Sequence, residues 1–151
     1  SKNEFDKIMK SNLYQLIYCS RPFGFDNSVL NSLLIDSREA NLLNNLTGAL
    51  ICRSDLYLQL LEGPEEKVLE TFSRIKRDDR HVEVNILRKT QSSERLFPNW
   101  AMKDDPVHSW MWSRDEVARG VVLKASQQEI LDVFCKIAKK KIKNQIFTHW
   151  K

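Results

Sequence analysis

The stretch LYLQLLEGPEE, residues 56–66, decides the fold. Leu56, Leu58 and Leu60 alternate onto one face of a strand, and Tyr57, Gln59 and Leu61 occupy the other. With both faces apolar, the spacing predicts an interior strand covered on both sides. Gln59 then sits among apolar neighbours with two donors and an acceptor to satisfy. A buried primary amide without partners costs about 1–3 kcal/mol. The strand therefore needs something for Gln59 to bond.

The elements on either side follow from this strand. LTGALICR (46–53) is a second apolar strand, and Ser54 and Asp55 make a tight connection, so the two form a hairpin. GPEEKVLETFSRIKRDDRH (63–81) opens with Pro64 and acidic residues and closes on Arg and Lys, as the helix dipole favours. Val68, Phe72 and Ile75 form its buried stripe. Upstream, NLYQLIYCS (12–20) is a strand with Tyr14, Leu16 and Tyr18 on one face. RPFGFDN (21–27) is a loop in which Asp26 or Asn27 caps a helix over roughly 28–41. VEVNIL (82–87) is a fourth strand, and RLFPNWAM (95–102) a short fifth that Pro98 makes an edge or irregular piece. The order β-α-β-β-α-β-β predicts an α+β, ferredoxin-like sheet with two helices on one face.

After Met102 the chain changes character. KDDPVHSWMWSRDEVARG (103–120) is polar and carries Trp110 and Trp112, and reads as an irregular crossing. From Ser126 a capping box to Glu129 opens a helix. Ile130, Phe134, Ile137 and Lys141 recur at helical spacing, beside a row of Leu131, Phe134, Ala138 and Ile142. This C-terminal helix is expected to cap the free face of the sheet.

Composition sets the outer limits. The chain has 151 residues, 42% hydrophobic and 29% charged, which suits a single globular unit with a sizeable core. No run reaches the length of a membrane span or resembles a signal peptide, so no membrane partner is expected. Cys19, Cys52 and Cys135 are scattered and odd in number, which argues against a disulfide framework or zinc cluster and for a cytoplasmic location. His81, His108 and His149 lack metal-ligand spacing. The net charge of +4 comes largely from the tail, so no nucleic acid is expected. Four glycines supply neither a P-loop nor a dinucleotide loop, and no Ser-His-Asp or Cys-His grouping is present.

The polar residues inside the apolar elements remain. Asn41 shares the inward helix face with Leu30 and Leu34. Tyr18 lies on the same strand face as Leu16. Arg80 and His81 follow the second helix, and Trp100 and Met102, two residues apart, are expected to share a strand face. Singly, each has an ordinary reading: a helix cap, a core tyrosine with a wet hydroxyl, a solvated helix end, core packing. Together, two amides and a phenol converge on the space between the helices and the sheet. That space suits a flat, amide-rich ligand, with Arg80 in reach of a phosphate or ribityl chain.

The sequence resembles the BLUF family, blue-light sensors using FAD. The resemblance runs from about Leu13 to Met102 and rests on LIYCS with Tyr18, REANLLNNLTGAL with Asn41 and Gly48, YLQLLEG with Gln59, RIKRDDRH with Arg80 and His81, and FPNWAM with Trp100 and Met102. It implies non-covalent FAD, with the flavin ring between the two helices and Tyr18 and Gln59 as the photoactive pair. It implies Asn41 on the flavin pyrimidine edge, and Arg80 and His81 near the ring edge and ribityl chain. It further implies that Gln59 rotates or tautomerises after light-driven electron and proton transfer from Tyr18. Trp100 and Met102 would relay the change. Ala40 stands where many relatives carry Asn or His, so one flavin contact is expected to be missing.

The expected organisation is an extension (1–12), a flavin-binding unit (13–102) and a C-terminal output segment and helix (103–151). The residues after Met102 are too few for a cyclase or phosphodiesterase domain. The expectation is a sensor rather than an enzyme, acting through a downstream protein partner or a homo-oligomer. The alternatives are an acylphosphatase-like enzyme using Arg and Asn, and a non-photoactive adaptor.

Overall fold

The computed structural model describes residues 13–108 and 110–149, with side chains in the last helix up to Lys139. The expected extension 1–12 and the side chains of Lys141, Ile142 and His149 lie outside the described residues. The elements are β1 (Leu13–Pro22), α1 (Asn27–Leu43), β2 (Thr47–Arg53), β3 (Leu56–Pro64), α2 (Glu65–Lys76), β4 (His81–Gln91), β5 (Lys103–Pro106), α3 (Arg114–Ala118), α4 (Val121–Lys124) and α5 (Gln127–His149). The five strands form one sheet in the order β4-β1-β3-β2-β5, which is the ferredoxin-like arrangement with a strand added at one edge.

β3 runs antiparallel between β1 and β2, so LYLQLLEGP is an interior strand, as its double apolar face predicts. Two clusters cover its faces. On one face, Leu33 and Leu34 of α1 and Val68 and Phe72 of α2 pack on Leu16, Tyr18, Leu50, Tyr57 and Leu61. On the other, Ile130, Val133, Phe134 and Ile137 of α5 pack on Ile17, Ile51, Leu58 and Leu60. The C-terminal helix thus caps the free face, as its stripe predicts. Each fully buried side chain of this size adds about 1.5–3 kcal/mol of transfer free energy.

Local chemistry fixes the helix starts. Asp26 accepts the Val29 amide at 2.8 Å and caps α1. α2 follows Pro64 directly, with Glu65 and Glu66 in its first turn and Arg74 and Lys76 in its last.

The fifth strand departs from the expectation. Residues 95–102 are irregular, and β5 begins at Lys103, just past the expected boundary at 102. The reason is a buried carboxylate. Glu62 accepts the Leu96 amide at 2.8 Å and the Phe97 amide at 2.6 Å, so those donors are unavailable to a ladder. The chain then pairs KDDP (103–106) in parallel with β2 at the sheet edge, where charged residues are tolerated.

Two glycines allow the hairpin to close. A Cβ on Gly48 would collide with the Leu60 carbonyl oxygen of the partner strand. Gly63 has φ +155°, and a Cβ there would lie 2.6 Å from the Asn45 carbonyl oxygen. Gly48→Ala is expected to cost about 3 kcal/mol or more, because the obstacle is backbone and cannot swing away. Urea unfolding of the two proteins checks this; an unchanged midpoint would mean that β2 and β3 separate here without penalty.

Candidate functional site

The site lies between α1, α2 and the sheet. A cavity of about 220 Å³ opens there, with Asn41, Gln59, Leu61, Thr71, Asp78 and Arg80 in its wall. Asn41 and Gln59 are almost fully buried at one end (1% and 2% exposed). The Arg80 side chain, at 28% exposure, marks the wetter end. The volume is below the about 300–1,000 Å³ of a drug-sized pocket, so it suits a flat ring with the rest of a larger ligand running outward.

Gln59 is the hub. Its Oε1 accepts the Tyr18 hydroxyl, and its Nε2 donates to the Met102 sulfur at 3.3 Å. Tyr18 is fully buried, which pushes its phenol well above the ordinary value and keeps it protonated. The register between β1 and β4 shifts between Ile17 and Tyr18, a bulge beside the site of the kind that re-aims a side chain. A thioether is a weak acceptor, so the Gln59 amide keeps donor capacity that a carbonyl or ring nitrogen in the cleft would take up.

The helix side pins the segment that ends at β5. Asn41 Nδ2 donates to the Ala101 carbonyl at 2.6 Å. Arg38 donates to the Met102 carbonyl and to the Asp104 carboxylate, both at 3.0 Å. Residues 101–104 are therefore held from α1 by two side chains and from β3 by Gln59. Sequence reading missed Arg38, although it stands one helical turn before Asn41.

Arg80 closes the other end. It forks onto Asp78, with its shortest contact at 2.6 Å, and reaches Asp36 of α1 at 3.0 Å. Hydrogen bonding from Arg80 holds the Asp78 carboxyl below the usual range. His81 is buried rather than solvated, with Nδ1 2.8 Å from the Ser20 hydroxyl and its ring 6.0 Å from that of Tyr18. The structure puts Asn41, Gln59 and Arg80 in the wall of the cleft; Tyr18 and Met102 join it through their bonds to Gln59, and His81 lies beside the Tyr18 ring. It does not bring Trp100 there. Met102 belongs to the cluster on the cleft face, whereas Trp100 packs against the cluster under α5. The two do not share a face, because 95–102 is irregular and the two-residue period of a strand does not apply.

Glu62 was also missed. It follows Gln59 by three in the same apolar strand, is 1% exposed, and takes Gln15 Nε2 at 3.1 Å besides the two amides. A second polar residue in an interior strand was the available signal.

The donor set fits a flavin. Two buried amides can complement the imide edge of the ring, and a guanidinium lies at the end where a phosphate-bearing tail would leave. One further buried polar atom, the Tyr57 hydroxyl, has no hydrogen-bond partner. No cluster among the described residues has the make-up of a metal site.

Burial drops the His81 pKa from 6.5 to about 4. Its proton therefore favours the unfolded chain. The stability that depends on a neutral His81 is complete above about pH 6.5 and is lost as pH falls toward 4, a loss on the order of 3 kcal/mol. Urea unfolding of wild type and His81→Gln at pH 7 and pH 4.5 checks this. The acid-induced loss is expected to shrink in the variant; equal losses would place the acid sensitivity elsewhere.

Comparison with known proteins agrees with this geometry. Residues 13–103 match the BLUF family, sensors of blue-light using FAD. The chain is 30% identical over 74 residues to photoactivated adenylate cyclase subunit beta of Euglena gracilis, covering 48% of this chain and 9% of that protein. It thus spans only about a tenth of the length of that curated relative. Among solved structures, the photo-activated state of BlsA superimposes with a TM-score of 0.68 at 26% identity, over 83% of this chain and 94% of that one. The dark state of the BLUF protein BlrB gives 0.71 at 24% identity, over 87% and 98%, a likeness of fold.

Proposed function

The chain belongs to the BLUF family, and from that premise we propose that it is a blue-light photosensor in which Tyr18 and Gln59 are the photoactive pair. One observation carries the reading. Tyr18, Gln59 and Met102 form a continuous buried chain of contacts that ends on the backbone leading into β5. FAD, the family's cofactor, supplies the absorption of blue light and, once excited, an oxidant. Asn41 and Gln59 would hold its ring, with Arg80 and His81 toward the tail.

The residues' part follows from their chemistry. Tyr18, kept protonated by burial, gives up an electron, and its proton passes along the bond to Gln59. When the electron and proton return, Tyr18 is unchanged, so no substrate is consumed. What persists is a Gln59 amide that has rotated or tautomerised. Its bond to Met102 and its bond to the phenol change together. The segment 101–106 then feels the switch, because Gln59, Asn41 and Arg38 all hold it. On this reading residues 13–106 are the sensor, and the chain beyond Pro106 is output toward a protein partner or a second copy of the chain.

The family match favours the sensor over the acylphosphatase alternative. Among the described residues no helix is long and apolar enough to cross a membrane, and the three cysteines are unpaired. A reducing cytoplasm is consistent with this.

Illumination is expected to give a reversible red shift of the flavin band. Tyr18→Phe and Gln59→Leu should each abolish it, and the double variant should look no worse than either single, because the pair acts as one unit. Light-minus-dark spectra of the four proteins decide this; a normal red shift in Tyr18→Phe would remove Tyr18 from the mechanism. Denaturation should release all the flavin, one per chain. Burial pushes the Cys19 and Cys52 thiols up to about 11, which leaves neither suited to covalent attachment. Flavin that stays on the denatured chain would contradict this.

A further inference from the structure

Tyr57 is polar, buried and without a role in the switch. It lies on β3, two residues before Gln59 and on the same face, paired with Ser20 of β1 and Cys52 of β2. It is fully buried, yet its hydroxyl has no hydrogen-bond partner. A buried hydroxyl in that state loses its bonds to water and gains nothing in return. A phenylalanine would fill the same volume without that penalty. The position is specific: the Tyr57 ring lies 5.1 Å from the His81 ring and 6.2 Å from the Phe25 ring, just before α1. Burial raises the phenol's pKa, and His81, whose ring Tyr57 faces, follows directly on Arg80 of the cleft wall.

We propose that Tyr57 is a further flavin-holding residue, and that its hydroxyl bonds the ribityl chain where that chain leaves the ring. The assignment rests on the flavin reading above and deepens it. The polarity of the cleft gives the direction. Asn41 and Gln59 close the deep end and match the imide edge of the ring. The tail then leaves toward Arg80, the end at which His81, the ring neighbour of Tyr57, follows in the chain. A polyhydroxylated chain offers the acceptor that the fold itself does not. Tyr57 is a positioning residue here; the photoactive pair remains Tyr18 and Gln59.

The test uses three ligands and two proteins freed of flavin, wild type and Tyr57→Phe. FAD and riboflavin carry the ribityl chain, and lumiflavin has the ring without it. Fluorescence titration should show FAD and riboflavin weakened about tenfold in the variant, as for one lost hydrogen bond to a buried donor, with lumiflavin unchanged. Urea unfolding without flavin gives the second readout. There the variant should be at least as stable as wild type, because the deleted hydroxyl had no partner. Equal affinity of the two proteins for FAD would overturn the proposal. So would an equal loss for all three ligands, or a flavin-free variant less stable than wild type, either of which would make the phenol a general packing element. A wild-type chain that takes up no flavin would overturn the sensor reading and this assignment with it.

Discussion

One primary amide in an apolar strand organises this molecule. Gln59 is almost wholly shielded from water, because β3 is interior and both faces are covered. Its bonds must come from side chains directed into the same space. β1 supplies Tyr18 directly opposite, and the segment before β5 supplies Met102. Low polarity around these groups strengthens each bond and makes any lost bond expensive. The same property that makes Gln59 a liability for stability makes it sensitive: a rearranged amide must change at least two partners at once. A local switch of this kind needs a second element that moves with it. The segment 101–106 qualifies, since it is irregular up to Met102 and joins the sheet only at the edge.

The remainder of the fold keeps that segment poised. Glu62 removes the Leu96 and Phe97 amides from any ladder, and Gly48 lets β2 approach β3 closely. Arg38 and Asn41 hold the backbone at 101–102 from the helix side. Met102 faces the cleft, while Trp100 packs beneath α5. The short stretch between them therefore crosses from one face of the sheet to the other. A change at Gln59 has a covalent path to the layer formed by α4 and α5.

Much of this was legible in the residues alone. The alternation in 56–61, the Asp26 cap and the stripe of Ile130, Phe134 and Ile137 each follow from local periodicity, and each element stands where its pattern predicts. The inward amide of Asn41 was legible from helical spacing. The fifth strand was not. Its apolar candidate, 95–102, loses the Leu96 and Phe97 donors to a carboxylate more than thirty residues away, while the strand that forms, KDDP, reads as part of an irregular crossing because an edge strand can be polar on both faces. The separation of Trp100 from Met102 follows from the same irregular backbone. Arg38 escaped notice because its partners are a distant carbonyl and carboxylate, and sequence spacing says nothing of those. The empty-handed hydroxyl of Tyr57 could be seen only once its neighbours were in place.

The central claim is that light acting at Gln59 reaches the backbone before and within β5. Amide hydrogen exchange of the flavin-loaded wild-type chain, in the dark and under continuous blue light, tests it most directly. Faster exchange under illumination is predicted at the amides of residues 101–105, with the interior pairing of β1 and β3 unchanged. Identical protection of 101–105 in the two conditions, in a sample whose flavin band has shifted, would contradict it.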